Sequence, residues 1–370
     1  MNAPEAKGRR QEAFRYGNLL EVDVDVYDLG VVPWLHSQLL YHALPRVGGA
    51  GVILLSPATP YVCIGYHQDA AQEVDLDFCR EHGIPVFRRE VGGGAVYLDG
   101  NQLFYQIVLP PDHPAAQGDK EAVYRRLLAP VVRTYQAIGI PAEYKPINDI
   151  ITGGRKISGN GAAEIAGCTV LVGNLILDFN HERMARVLRV PDEKFRDKVF
   201  KTLKDNLTTI RQELGRVPPM DELKAILVRE LESAIGPLEP AALPAEVYRM
   251  ADELALAMTS EDWLMKGGRP SRERAVKIRD GVHIVHRAHK APGGLIRVLM
   301  ELHDERIAAL ELSGDFFVYP AEALGELEQV LIGARLADAE SVIAGFYRSR
   351  RVESPGVGPA DFAEALGSPA

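Results

Sequence analysis

The chain has 370 residues, 46% hydrophobic and 25% charged, a balance that supplies core material for one large domain with a smaller companion. Its formal net charge is -9, from 42 Lys and Arg against 51 Asp and Glu. That acidic excess disfavours a general nucleic-acid binder, which needs a basic surface, while leaving room for a local basic pocket around a nucleotide phosphate; no apolar run approaches the length of a membrane span.

Residues 1–15 lack an apolar middle segment and so do not read as a secretory signal; residues 1–20 are expected to form a flexible N-terminus. Residues 21–27 alternate apolar and charged side chains, the pattern of a half-buried strand. Pro33 then opens a predicted helix carrying Trp34, Leu35, Leu39 and Leu40 on one stripe. Strands are predicted at 52–56 and 62–65 and a helix at 73–82. Two strand-like runs follow, flanking Gly92, Gly93 and Gly94. A helix is predicted at 120–138, a turn at Gly153 and Gly154, and a buried strand at 169–179. Residues 181–263 read as largely helical. Gly, Pro, Ser and charge together mark 266–274 as a linker. Beyond it, 275–289 and 295–311 read as strands and 322–332 as a helix. The tail 353–370, rich in Pro, Gly and Ala, is expected to be loose. The resulting division is a large α+β unit over 21–265 and a small α+β unit over 275–352.

Cys63, Cys79 and Cys168 are odd in number and widely spaced, which makes neither a disulfide framework nor a zinc ribbon and points to a reducing, cytoplasmic compartment. His283, His286 and His289 recur every third residue on a predicted strand. That spacing puts neighbours on opposite faces, so they are not read as a metal site.

Two stretches carry chemistry. In the first, Arg88 and Arg89 precede Gly92, Gly93, Gly94 and Ala95. Three consecutive glycines cost conformational entropy, which a loop repays where backbone must approach a ligand. Their N–H groups can cradle anionic oxygens, with forked arginine donors nearby. The competing reading is a bulged hairpin with solvated arginines. Neither a Walker motif nor a dinucleotide fingerprint is present. In the second stretch, Asn148 and Asp149 precede the Gly153–Gly154 turn, which sends Lys156 back along a strand, followed by Ser158, Gly159 and Asn160. A strand holds a catalytic cation more firmly than a loop does; a surface lysine beside a turn is the plainer alternative.

In order, Arg-Arg-x-x-Gly-Gly-Gly-Ala-Val, Asn-Asp-Ile, Gly-Arg-Lys-Ile-Ser-Gly-Asn and then Gly173-Asn174-Leu175-Ile176 resemble the lipoate–protein ligase family, from about Asp25 to Gly268. The resemblance implies an α+β fold. Its catalytic domain is built on a mixed β-sheet, of the kind shared with biotin–protein ligases and class II aminoacyl-tRNA synthetase cores, and a smaller C-terminal domain follows. It also implies that ATP activates lipoate to lipoyl-AMP and that the lipoyl group passes to a lysine of an acceptor protein. Lys156 would be the catalytic cation. Arg88, Arg89, Gly92, Gly93, Gly94, Ala95, Asn148, Asp149, Ser158, Gly159, Asn160 and Gly173 would bind lipoate and ATP. Mg2+ would accompany ATP, with Asp149 as its candidate ligand and no protein-only metal site. The implied acceptors are lipoyl domains of 2-oxoacid dehydrogenase complexes or the glycine-cleavage carrier protein, with no nucleic acid or membrane partner. Val170, Val172 and Leu175 would either line a tunnel for the acyl chain or pack in the core.

Many family members carry His-Gly where this chain has Val172-Gly173. One rival reading is an octanoyltransferase, which moves octanoyl from acyl carrier protein through a cysteine and needs no ATP. No cysteine lies at 141–147 or 188–194, where such enzymes carry it, and Cys168 reads as an inert core thiol. A non-catalytic lipoate- or adenylate-binding protein is a further alternative. Biotin ligation is weaker, because the Gly-Arg-Gly-Arg loop is absent.

Overall fold

The computed structural model describes residues 24–266 and 282–367. Apart from Lys266, the expected N-terminal segment and linker lie outside these residues.

The strand β1 (Val24–Val32) leads through Pro33, with φ at -50°, into α1 (Trp34–Arg46), as the fixed pyrrolidine angle favours. Strands β2 (Gly51–Pro57) and β3 (Tyr61–Ile64) are buried at every position. The helix expected at 73–82 is two short ones, α2 (Ala70–Glu73) and α3 (Leu76–Glu81). Asp69 accepts from the Ala71 N–H and Asp75 from the Phe78 N–H, so a second cap restarts the helix. Next come β4 (Val86–Arg88), β5 (Val96–Leu98), β6 (Gln102–Leu109) and α4 (Lys120–Ala137), the last capped by Asp119. Five strands follow: β7 (Glu143–Lys145), β8 (Asp149–Thr152), β9 (Arg155–Ser158), β10 (Asn160–Ile165) and β11 (Cys168–Ile176). Then α5 (His181–Val187), α6 (Glu193–Asn206), α7 (Ile210–Leu214) and α8 (Met220–Ile235) precede β12 (Leu238–Pro240), α9 (Ala245–Met258) and α10 (Glu261–Leu264).

The main sheet is mixed, in the order β10-β11-β6-β2-β1-β12, with β1 parallel to both its neighbours and the other pairs antiparallel. Side chains alternate between its faces. Val52, Leu54, Tyr105 and Ile107 pack under α4 and α8, while Ile53, Leu55, Phe104 and Val108 pack under α1 and α9. Among the described residues, no helix is long and apolar enough to cross a membrane. These layers are the α+β architecture, built on a mixed sheet, that the sequence led us to expect.

Residues 282–367 add an antiparallel sheet of β13 (Val282–Ala291), β14 (Gly294–His303) and β15 (Arg306–Gly314). It packs against α11 (Ala323–Leu331), α12 (Ala339–Arg350) and α13 (Pro359–Leu366) around Ile296, Phe316, Leu331 and Phe362. Here the expectation of a loose tail after residue 352 is corrected. Pro359 at the first helical position and Gly367 at the C-terminal cap bound a helix whose Phe362 and Leu366 are fully buried. The composition that suggested a loose tail is also what starts and stops a short helix. The segment after β15 runs back onto the large sheet. Phe317 and Tyr319 join its core, and the Tyr319 hydroxyl donates to the Ala162 carbonyl at 3.0 Å.

Candidate active site

Strands β4 and β5 do not pair with each other. Both pair with β3, which lies between them, so the glycine stretch crosses the end of β3 instead of closing a hairpin. Close approach explains the glycines: a Cβ on Gly65, at the end of β3, would lie 1.8 Å from the Gly93 carbonyl oxygen. Gly93 itself has φ at +92°, where other residues are strained. Arg89 braces the loop from inside, donating to the Gly92 carbonyl at 2.8 Å and the Gly94 carbonyl at 3.0 Å. The outer side of the loop meets the segment after β15: a Cβ on Gly92 would lie 2.9 Å from the Phe316 carbonyl oxygen, and the Gly93 N–H donates to that oxygen at 3.4 Å.

Arg88 has a different place from the one expected. It is fully buried and donates to five main-chain carbonyls, of Gly65, Tyr66, Gln68, Trp263 and Leu264. Burial pulls its guanidinium down to about 10, still charged near neutrality. It clasps α10 to β3 and faces main-chain carbonyls instead of lining the cavity described below.

The second stretch folds as a hairpin. Gly153 and Gly154 take φ of 55° and 79°, the two positive angles of a tight strand-to-strand turn, and join β8 to β9. Ile157 points into the core with no exposure, so Lys156 beside it points away. The other edge of β9 is held where the Thr208 N–H donates to the Lys156 carbonyl at 2.8 Å. The Lys156 ammonium lies 2.6 Å from Asp149 Oδ1 in a partly exposed ion pair. Around it, Ser158 Oγ donates to the Asn174 carbonyl at 2.6 Å, the Gly159 N–H to Asn174 Oδ1 at 3.0 Å, and Asn160 Nδ2 to the Asn148 carbonyl at 2.9 Å. Gly173 sits opposite Asn160 on β11, where a Cβ would lie 2.2 Å from Asn160 Oδ1 and 2.4 Å from the Tyr105 hydroxyl; only glycine fits.

The two stretches meet at one cavity, with about 700 Å³ of empty space counted together with its open mouth. Of the residues expected at the site, Arg89, Gly93, Gly94, Asn148, Lys156, Gly159, Asn160 and Gly173 line it. Arg88, Gly92, Ala95, Asp149 and Ser158 do not: Asp149 reaches it through Lys156, and Ser158 lies buried behind it. Val96, Leu98, Phe104 and Val172 form an apolar stretch of wall, and Gln38, Tyr41, Cys63 and Gln106 complete it toward α1. Those last four are scattered through the chain. Their one sequence signal is a pair of polar residues, Gln102 and Gln106, in the otherwise apolar β6. Of the three residues weighed for an acyl tunnel, Val172 lines the cavity while Val170 and Leu175 pack in the core.

Burial raises the thiol pKa of Cys63, Cys79 and Cys168, so none is a ready thiolate. The nearby His42 is fully buried. Its Nδ1 donates to the Gln38 carbonyl at 2.6 Å, because a carbonyl only accepts, and its Nε2 accepts from the Glu90 N–H at 3.2 Å. Burial pulls it down to about 4, so it is neutral and both ring nitrogens are committed. Among the described residues, no cluster of three His, Cys, Asp or Glu stands where it could hold a metal.

Comparison with known proteins agrees with this geometry. Residues 32–232 match the lipoyl protein ligase A/B catalytic domain. Lipoate-protein ligase LplJ of Bacillus subtilis is 25% identical over 287 residues, covering 77% of this chain and 81% of its own. Octanoyltransferase LipM of Kyrpidia tusciae is 25% identical over 227 residues, 55% of this chain and 82% of its own. Among solved structures, the bipartite lipoate protein ligase of Thermoplasma acidophilum, described with its E2 lipoyl domain, aligns with a TM-score of 0.58 at 25% identity, covering 69% of this chain and 99% of that one. With more than half its length matching the catalytic domain, the chain belongs to the lipoate–protein ligase family.

Proposed function

We propose that this protein is an ATP-dependent lipoate–protein ligase that forms lipoyl-AMP and transfers the lipoyl group to a lysine of a lipoyl acceptor domain. The observation that carries the reading is that Lys156, on a strand held along both edges, lines the same cavity as the glycine turn Gly93–Gly94.

In the first step the lipoate carboxylate attacks the α-phosphorus of ATP. A C–O–P linkage forms and pyrophosphate leaves with the electron pair of the broken P–O bond. Two anions are brought together, so fixed positive charge is what the step needs. Lys156 leaves Asp149 for the phosphoryl oxygens, and the glycine loop, braced from inside by Arg89, positions the anhydride region. Asp149, freed of Lys156, is the carboxylate that would help hold Mg2+ together with the substrate phosphates, and that ion would supply positive charge for the pyrophosphate. In the second step an acceptor ε-amine attacks the mixed-anhydride carbonyl, forming the amide and releasing AMP. Lys156 polarises that carbonyl oxygen. The apolar wall at Val96, Leu98, Phe104 and Val172 suits an eight-carbon acyl chain. The E2 lipoyl domain described with the T. acidophilum ligase supports lipoyl domains of 2-oxoacid dehydrogenase complexes as acceptors, with the glycine-cleavage carrier protein as the other candidate. Three free, buried cysteines support action in the cytoplasm.

The LipM relatives and a thiol at the cavity favour a second reading, octanoyl transfer through Cys63. Against it, that thiol is pushed up by burial, and the partners its sulfur shows are Gln38, Arg89 and main chain, with no base among them. Lipoate-dependent ATP–pyrophosphate exchange separates the readings. The proposal expects exchange in the wild type and a loss of about a hundredfold or more in Lys156→Ala. Absence of exchange, together with acceptor labelling by octanoyl-acyl carrier protein without ATP, would establish the transferase instead.

A further inference from the structure

We propose that the α1 end of the cavity is a subsite for a hydrogen-bond donor on the far end of the acid, so that the pocket prefers an acid bearing S–H or O–H there, such as the reduced dithiol dihydrolipoate, over a plain alkyl acid. The inference rests on reading the cavity as the acid-binding site.

The observation is Gln106. It is 1% exposed, it lines the cavity, and its Oε1 is buried with no hydrogen-bond partner. The amide cannot simply be turned over. Its Nε2 donates to the Ser37 carbonyl at 2.6 Å, and a carbonyl only accepts, so the oxygen must be the free atom. A buried acceptor left unpaired is costly and calls for a reason.

No neighbour on this wall turns a donor to that oxygen. Ser37 Oγ gives its proton to the Trp34 carbonyl at 2.6 Å and accepts from the Tyr61 hydroxyl at 2.9 Å. Gln38 Nε2 donates to Tyr61 at 2.6 Å, while its Oε1 accepts from Tyr41 at 3.0 Å and from the Cys63 thiol at 3.6 Å. Arg89 is committed to carbonyls of the glycine loop and Cys63. The side chains around it bond to one another or to main chain, Gln106 Oε1 is the buried acceptor they leave unpaired, and a donor for it is left to the ligand.

Position supports the same conclusion. Gln106 pairs with Val172 and Phe104 with Asn174 in the β6–β11 register. Asn174 binds the Gly159 N–H beside Lys156, whereas Gln106 is tied to α1. A carboxylate held at Lys156 thus sends its chain past Phe104 and Val172 toward Gln106. Octanoate brings a methyl group there and the closed dithiolane of lipoate brings no donor. Dihydrolipoate brings thiols, and an ω-hydroxy acid brings a hydroxyl.

The test is calorimetric binding of dihydrolipoate (kept reduced), 8-hydroxyoctanoate, lipoate and octanoate to the full chain, beside pyrophosphate exchange with each acid. The donor-bearing acids are expected to bind about five- to tenfold more tightly than octanoate. Gln106→Leu and the independent variant Gln106→Met should remove or reverse that preference, read as the ratio of affinities for the donor-bearing acids and octanoate within each variant. Equal binding of all four acids by the wild type, with no change in either variant, overturns the inference; it would mean that water fills the acceptor. The functional reading fails separately. Preference in binding without any exchange removes the ligase assignment and leaves the subsite, whereas exchange without preference does the opposite.

Discussion

Replacing Gly65 with alanine tests whether the glycine loop must sit where it does. The new Cβ would lie 1.8 Å from the Gly93 carbonyl oxygen and 3.1 Å from its nitrogen, whereas ordinary contact begins at 3.4 Å. The obstacle is main chain, so no side-chain rotation relieves it, and Gly93 must retreat by about 1.6 Å. Arg89 binds the carbonyls on both sides of Gly93, so the displacement is shared by the loop and its bracing cation. Overpacking of this kind costs about 1–3 kcal/mol of stability, which the domain survives. A displacement of about 1 Å in a group that positions substrate is worth about a hundredfold in rate. The assay is lipoate-dependent pyrophosphate exchange at a temperature where circular dichroism shows Gly65→Ala folded. The expected result is a loss of about a hundredfold in kcat/KM with a modest fall in Tm. A folded variant with wild-type kcat/KM would refute the loop's role.

Other outcomes follow from the same geometry. Arg88→Lys loses the fork that reaches five carbonyls and should cost about 3 kcal/mol or more in denaturant unfolding, with lipoate KM nearly unchanged at permissive temperature; a large KM effect without destabilisation would return Arg88 to the site. His42 is held near 4 and His67 near 3 by burial, against 6.5 when unfolded. Below pH 6.5 the unfolded chain therefore binds more protons, and stability falls with pH, by about 3 kcal/mol for His42 down to pH 4. His42→Gln should flatten Tm against pH between 6.5 and 5. Glu328 runs the other way: burial raises it to about 7 although it accepts from the Leu312 N–H at 2.6 Å. Stability is lost as pH rises from 4.5 to 7, and Glu328→Gln should raise Tm at pH 8 with little effect at pH 4.

Much of the main sheet was legible because β1 carries an alternating pattern and β2, β6 and β11 are short apolar runs bounded by glycine and turn signals, whereas β12 lies within residues read as helical; α4 and the β8–β9 hairpin fall within a residue or so of their predicted places. The break between α2 and α3 depends on Asp75 competing for the Phe78 N–H, which periodicity does not register. Strand β7, with three residues, is too short to carry a period. The helix α13 was hidden by its own boundary residues, Pro359 and Gly367. At the site, glycine spacing and the Lys156 turn were readable because backbone constraint leaves a mark on composition. Arg88 and Arg89 looked equivalent as neighbours, yet one closes β4 and enters the carbonyl clasp while the other follows the strand and lines the cavity. The α1 wall of Gln38, Tyr41 and Cys63 is assembled only by tertiary packing.

The central claim is tested most directly by mass spectrometry of an apo lipoyl domain incubated with the full chain, lipoate, ATP and Mg2+. The account predicts a lipoyl mass increment on one lysine. That increment should require ATP, persist in Cys63→Ser and vanish in Lys156→Ala. An acyl increment that forms without ATP from octanoyl-acyl carrier protein, and that is lost in Cys63→Ser but kept in Lys156→Ala, would contradict it.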